Sequence, residues 1–367
     1  MAVRQHLLAH IHTEATPMSR SQRVTQAQVA ARAGVSRTIA SFVLNGRKDQ
    51  RVAPATAQRV LEAAAELGYR PNVIATILRT GESGTIALIS DYITTTAGAN
   101  GLVKGVIDGA HSKGTLLFTT ETLGDSSLEQ QLIANLIDRQ VDGFIYASMF
   151  TREVVVPEVL LKEPTVLLNC LDTRQRLPSV LPDEEGAGRD AADLLIKAGR
   201  ADDIAFIGVL PGGAVASTQW QGTKPLALSR RLAGLTDRLS RAGGSMTMDP
   251  IDAPAWDAPT GRRAMSAVLT AGRRPTAVVC ANDALALGGY QAIAEAGLRI
   301  PDDISVVSFD GSELSSWMHP ELTSLTLPHL AMGRSAVRLL LAGEDSPEAT
   351  MNETLLMPMP VRKGASI

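Results

Sequence analysis

The chain has 367 residues, 45% of them hydrophobic, which is enough for two or three domains around large buried cores. No uninterrupted apolar run approaches the ~20 residues that span a bilayer, and the N-terminus lacks a signal-peptide core, so a membrane protein is excluded and a cytoplasmic one expected. The net charge of −3 hides an asymmetry: residues 20–80 carry ten Lys or Arg against three Asp or Glu, net +7, which leaves −10 for the rest. A basic head on an acidic body suits phosphate contacts by the head and little adhesion by the remainder.

Residues 1–22 carry three histidines without periodicity and read as a disordered arm, with Met18 as an alternative start. Order begins at Thr25, whose hydroxyl can cap a helix while Gln28 reaches back to the Thr25 amide. Val29 and Ala33 share one face, and Gly34 supplies the positive-φ residue that ends the helix. Ser36 caps a second helix, in which Ala40, Val43 and Leu44 must face the first. Thr38, Ser41, Phe42 and Asn45 then point outward beside Arg37. This is a helix-turn-helix. Such units offer the start of the second helix to the major groove, where Arg37 can pair with guanine and Thr38 or Phe42 can touch a thymine methyl. The loop 45–51 follows with three positive charges, Arg47 among them, placed to rest on phosphates.

Pro54 opens a third helix, whose expected apolar stripe is Ala57, Val60, Leu61, Ala64 and Leu67, and Gly68 closes it. The next segment, 71–81, is too short to be a stable free helix but can fold against DNA or a twin copy.

Three stretches, Val29-Ala30-Ala31-Arg32-Ala33-Gly34-Val35-Ser36, Ser41-Phe42-Val43-Leu44-Asn45-Gly46 and Leu67-Gly68-Tyr69-Arg70-Pro71-Asn72, resemble the DNA-binding headpiece and hinge of the LacI family of transcriptional regulators. The resemblance continues to about Val361. It implies a hinge helix folding in the minor groove, with Leu78 wedging between base pairs, Ala75 at the close helix pair and Asn72 beside the DNA. Three positions depart from the family's pattern: Phe42 where arginine is common, Ala53 where a serine caps the third helix, and Val73 for a frequent arginine.

From Gly84 onward apolar strands alternate with helices: strands at 85–89, 115–119, 143–147, 165–168, 204–209, 277–281 and 304–309, and helices at 102–112, 128–139, 187–198, 226–242, 261–269 and 285–296. This pattern predicts an α/β body of doubly wound parallel sheets, too long for one sheet. The resemblance implies a periplasmic-binding-protein-like core whose chain crosses between lobes near Pro182, Thr326 and Met357. The expected domains are therefore 23–70 for the helix-turn-helix, 71–83 for the hinge, 84–182 with 327–356 for one lobe, and 183–326 with 357–367 for the other.

Ligands of parallel sheets gather beyond the carboxyl ends of strands. Asp91 and Tyr92, Asn169, Asn282 and Asp310 stand there, while Asp283 reads as the cap of a helix starting at Ala284. Position by position, the resemblance puts effector contacts on Arg231, Asn282 and Asp310. A guanidinium, a carboxamide and a carboxylate can satisfy vicinal hydroxyls, so a sugar or similar polyol is the expected effector. Trp256 either stacks on its ring or belongs to the core.

The expected protein is a ligand-controlled homodimer, not an enzyme, binding a pseudo-palindromic operator in double-stranded DNA. Tetramers stay open, although no heptad tail follows Arg362. No cofactor or metal is called for, and Cys170 and Cys280, far apart in strand-like runs, read as buried free thiols. An exported or cytosolic solute-binding protein would share the two lobes but has no use for the basic head. A dehydrogenase would need a Gly-x-Gly-x-x-Gly turn where Ser90-Asp91-Tyr92 stands.

Overall fold

A computed structural model describes residues 24–45, 51–70, 77, 81–96, 98–208, 226–246, 251–253, 255–342 and 353–367. The chain divides into two compact units between Gly81 and Glu82.

In the first unit, α1 (Gln26–Ala33), α2 (Arg37–Leu44) and α3 (Pro54–Leu67) enclose a small core of Val29, Ala30, Ala33, Ala40, Val60, Ala63 and Ala64. Small side chains there let the three short helices approach closely, at the expense of buried apolar area. One expectation is corrected: Leu61 is 50% exposed, and Ala63 takes its place in the core. The buried set Val60, Ala63, Ala64 and the partly buried Leu67 recurs at i, i+3, i+4 and i+7, so the centre of the true stripe lies about a third of a turn from Leu61. Ala53 precedes α3 without a side-chain cap, and Pro54 opens the helix with no amide to satisfy.

The second unit holds two six-stranded sheets. The first contains β1 (Thr85–Ser90), β2 (Leu116–Glu121), β3 (Gly143–Val154), β4 (Thr165–Asp172), β5 (Ser179–Pro182) and β11 (Thr354–Met357), in the order β11-β5-β4-β3-β1-β2. The second contains β6 (Ile204–Gly208), β7 (Ile251–Asp252), β8 (Ala277–Cys280), β9 (Ser305–Asp310), β10 (Thr323–Thr326) and β12 (Val361–Arg362), in the order β12-β10-β9-β8-β6-β7. Pairing is parallel except between β10 and β12. Alternation along β1 shows the double winding. Ile86 and Leu88 join the cluster under α4 (Asn100–Ser112) and α11 (His329–Leu340), while Ala87 and Ile89 join the one under α5 (Ser126–Ile137). The second lobe adds α6 (Glu184–Lys197) against α7 (Leu226–Arg241), α8 (Ala258–Thr270) against α9 (Asp283–Glu295), and the short α10 (Glu313–Trp317). Cys170 and Cys280 are buried free thiols, and burial pushes both well above the ordinary thiol range.

The chain passes between the lobes three times: from β5 into α6, from β10 into α11, and from β11 into β12. The strands run adjacent at these passages, with the Asp183 amide donating to the Met357 carbonyl at 2.8 Å and the Thr326 amide to the Pro360 carbonyl at 2.8 Å. The periodicity missed β5, β7, β10, β11 and β12, because strands of two to four residues leave too little pattern to read, and it also left out the helices α10 and α11. It also ended β3 at Ala147, whereas the strand resumes beyond a register shift and runs to Val154.

Candidate functional site

The first unit holds the elements expected to read DNA. The Thr25 Oγ1 accepts from the Gln28 amide at 3.4 Å and the Gln28 Oε1 accepts from the Thr25 amide at 2.8 Å, closing the reciprocal cap. Gly34 ends α1 at φ 65°, and the Ser36 Oγ accepts from the Ile39 amide at 3.3 Å to start α2. Arg37 and Thr38 stand exposed on the first turn of α2, whose free amides give that end a partial positive charge. Ser41, Phe42 and Asn45 are half-buried. The Asn45 Nδ2 donates to the Ser41 carbonyl at 2.8 Å and to the Ser41 Oγ at 3.0 Å, so the two polar groups are tied together at the helix end. Arg47, Asn72, Ala75 and Leu78 lie outside the described residues, as do the arm 1–22 and the segment 209–225.

In the second unit, Arg231 on α7 is buried at 4% exposure. Its Nε and Nη2 both donate to Glu184 at the start of α6, the latter at 3.1 Å, and its Nη1 donates to the Ala281 carbonyl at 2.7 Å. The guanidinium lies 4.7 Å above the Phe309 ring, and Nη1 is 4.0 Å from an oxygen of Asp310. Two glycines allow this meeting. A Cβ at Gly188 would collide with the Arg231 carbonyl oxygen, and one at Gly234 with the Glu185 carbonyl oxygen, so α6 and α7 touch backbone to backbone. Burial and the neighbouring carboxylates of Asp283 and Glu184 push the Asp310 carboxyl up to about 8, against the pull of Arg231. Its side chain is still 35% open to solvent, which moderates that rise without reversing it. Asp310 also holds φ 102°, a backbone conformation uncommon outside glycine.

The helix cap expected of Asp283 falls on Asn282, which was expected to face the effector. The Asn282 Oδ1 caps α9 by accepting from the Leu285 amide at 2.8 Å, and its Nδ2 reaches the Trp256 carbonyl at 3.4 Å. Asp283, 1% exposed, instead gathers donors from three serines: the Ser308 hydroxyl, the Ser324 hydroxyl at 2.7 Å, and both the amide and the hydroxyl of Ser312 at 2.7 Å. The helix begins one residue earlier than the sequence suggests, so the cap moves to Asn282.

Asp91 and Asn169 brace the irregular part of β3. Asp91 accepts from the Ser148 Oγ at 2.8 Å, the Met149 amide at 2.9 Å and the Arg152 Nη2 at 3.0 Å. Asn169, at φ 59°, donates to the Ser148 and Met149 carbonyls at 3.1 Å each and accepts from the Thr151 Oγ1 at 2.8 Å. These groups were expected to face an effector, and their polar atoms are taken up by the bulge. The bulge delivers Phe150 into the second lobe's core, where it meets Trp256 edge to face. Trp256 is partly buried and its indole Nε1 has no hydrogen-bond partner. Tyr92 donates its hydroxyl to the Leu123 carbonyl.

A separate cavity of about 140 Å³ opens within the first lobe, lined among others by Asp91, Thr122, Asp125, Glu129, Tyr146 and Arg152. It shares only Asp91 with the expected effector set. Arg231, Asn282 and Asp310 are brought together at the carboxyl ends of the second lobe's strands, with Trp256 joined to them through the Asn282 contact. Sequence reasoning missed Glu184, Phe150 and His329. The His329 Nδ1 lies 3.2 Å from the Gly98 carbonyl, and burial drives its pKa down to about 4. Among the described residues no group of side chains could hold a metal ion, and no helix is long and apolar enough to cross a membrane.

A helix-turn-helix followed by a two-lobed α/β body defines a DNA-binding regulator with a ligand-binding core. The family model for bacterial regulatory proteins of the lacI family matches residues 25–72, and that for a periplasmic binding protein-like domain matches residues 192–367. The chain is 30% identical to catabolite control protein A of Priestia megaterium over 320 residues, 86% of this chain and 91% of that protein. The lac repressor dimer bound to operator and the anti-inducer ONPF superposes with a TM-score of 0.72 at 26% identity, covering 94% of this chain and 99% of that one. The complex of the transcriptional regulator CelR with cellobiose gives 0.59 at 27% identity, covering 94% and 100%. The chain belongs to the LacI family of DNA-binding transcriptional repressors.

Proposed function

We propose that the chain works as a homodimer in the cytoplasm, binding a pseudo-palindromic operator through paired α2 helices and releasing or tightening it when a sugar or similar polyol enters between the core lobes. The observation that carries the effector reading is the convergence of Arg231, Asn282 and Asp310 at the strand ends, opposite Phe150 from the other lobe. Hydroxyls need both donors and acceptors in fixed positions, and a guanidinium edge beside a carboxyl supplies them. The bound cellobiose of CelR supports the same ligand class. Arg37, Thr38, Ser41, Phe42 and Asn45 are the proposed base-reading set, with Thr25, Ser36 and Arg47 on phosphates and Asn72, Ala75 and Leu78 at the hinge.

Dimerisation is supported by the edge of the first sheet. Leu116 and Phe118 alternate outward on β2 at 59% and 38% exposure, and Ile107 on the adjacent α4 is 50% exposed. An apolar, unpaired edge of this kind is a liability unless a partner covers it. The boundaries proposed for the two core lobes are 84–182 with 327–356 and 183–326 with 357–367.

The test is fluorescence anisotropy of the full chain on a selected operator, with ribose, maltose, cellobiose and galactose added in turn. A change in operator affinity that Arg231→Ala removes, with DNA binding by the variant intact, is the expected result. Sugar binding that leaves operator affinity untouched would refute the coupling.

A further inference from the structure

Among the described residues Arg231 is the one cation of the effector wall, and its charge is already spent inside the protein. Both oxygens of Glu184, itself 2% exposed, engage its Nε and Nη2, while Nη1 is held by the Ala281 carbonyl. The ring of Phe309 covers one face of the guanidinium. What is left for a ligand is the Nη1 edge, and that edge looks toward Asp310 at 4.0 Å.

The remaining charged groups around it are no more welcoming to an anion. Asp283, at the start of α9, is buried and held by the Ser308, Ser312 and Ser324 hydroxyls. From the first lobe, His329 stays neutral because burial holds its pKa at about 4, and Arg152 is paired with Asp91 at 3.0 Å. The wall therefore sets one guanidinium against the carboxyls of Glu184, Asp283 and Asp310. Burial raises the Asp310 carboxyl, and whether or not that group carries its proton, the carboxyls of Glu184 and Asp283 leave the wall without net positive charge.

We propose that Glu184 is a built-in counter-ion for Arg231 that restricts the cleft to uncharged, hydroxyl-bearing effectors and excludes their phosphorylated or carboxylated forms. This rests on the reading that the cleft binds a small polyol. A hydroxyl can accept from the open Arg231 edge and give its proton to Asp310. A phosphate would have to displace Glu184 from the guanidinium and leave that carboxylate buried without its partner, or sit beside Asp310 with no cation of its own. Arginine alone would suggest an anion site, and Glu184 reverses that preference.

Inorganic phosphate is the probe, titrated calorimetrically into the full chain at constant ionic strength with chloride as the balancing ion. Any phosphate on the basic headpiece is subtracted by running Arg231→Gln in parallel. The wild type and Arg231→Gln are expected to bind phosphate alike, whereas Glu184→Gln, which frees the guanidinium, should bind at least ten times more tightly than Glu184→Gln combined with Arg231→Gln. Wild-type binding that Arg231→Gln abolishes would overturn the proposal, and so would a Glu184→Gln chain that gains nothing over the double variant. If Glu184→Gln fails to fold by circular dichroism, the wild-type comparison still decides, because phosphate bound through Arg231 refutes the exclusion and its absence supports it. Failure of every sugar to alter operator affinity, with the phosphate results as expected, would remove the polyol reading while leaving the role of Glu184 in place.

Discussion

Phe150 and Trp256 come from different lobes and meet with ring centroids 5.0 Å apart and planes at 86°. Edge-to-face packing places the positive rim of one ring on the negative face of the other, adding to the area both rings bury. This pair is a direct apolar link across the proposed effector cleft. It leaves the Trp256 Nε1 dry and unpaired, a cost that a ligand hydroxyl at that position would relieve.

Phe150→Ala should therefore lower the stability of the core by about 3 kcal/mol, in the range of large-to-small replacements of buried aromatics. The same change should shift the Trp256 emission to longer wavelength as water reaches the indole. Thermal unfolding and tryptophan fluorescence of the full chain check both, and unchanged values in the variant would show that the contact is not formed in solution.

Arg37→Ala should weaken operator binding by ~1–3 kcal/mol if its guanidinium pairs with a guanine. The exposed side chain carries no packing, so the melting of the headpiece should stay unchanged. Gel-shift titration and calorimetry on the same preparation separate the two effects.

Glu184→Ala should destabilise the core by about 3–5 kcal/mol, the usual result of leaving a buried charge without its partner. The Ala281 carbonyl and the Phe309 ring still stabilise the guanidinium, so the lower end is expected. A double-mutant cycle with Arg231→Met measures the coupling, and additive losses would mean that the pair contributes nothing specific.

Two groups should shape stability against pH in opposite directions. His329 has a folded pKa near 4, below its ordinary 6.5, so the unfolded chain binds its proton more readily. Its contribution is complete above pH 6.5 and is lost as pH falls toward 4. Asp310 is raised to about 8 from 3.8, so the folded chain keeps the proton, and stability falls as pH rises between those values. Asp310→Asn, which also tolerates the positive φ, should be more stable than the wild type at pH 9 and converge with it near pH 4. His329→Gln should flatten the acid limb. Thermal midpoints from pH 4 to 9 would show both, and a parallel pH profile in either variant would contradict the assignment.

Leu116→Asp should dissociate the proposed dimer and reduce operator affinity at least tenfold, because two heads bound through one body gain from each other's proximity. Sedimentation velocity gives the oligomeric state, and a Leu116→Asp chain that remains dimeric would place the interface elsewhere.

Much of the fold could be read from local chemistry. The Thr25 and Gln28 reciprocal cap, the Ser36 cap, and the positive φ of Gly34 and Gly68 each depend on residues within four positions of one another. The longer strands and helices declared themselves by periodicity because each buries a continuous face. Leu61 was misplaced because neighbouring apolar residues on α3 leave the stripe's angle ambiguous until α1 and α2 select it. The site was legible only in part. Arg231, Asn282 and Asp310 could be named from the family resemblance, and Trp256 as an aromatic that either stacks or joins the core, but not what each would touch.

By itself the sequence determined where helices start and stop, that parallel strands alternate with helices, that a basic head precedes an acidic body, and which side chains could offer polar groups at strand ends. Only the tertiary structure decided that Glu184 pairs with Arg231 47 residues away, that Asp91 and Asn169 serve a bulge, and that Phe150 crosses to Trp256. The reason is physical: caps and periodicity are set by bonds within a turn or two. The partner of a buried charge is set by how closely two distant backbones can approach, and here Gly188 and Gly234 permit that approach.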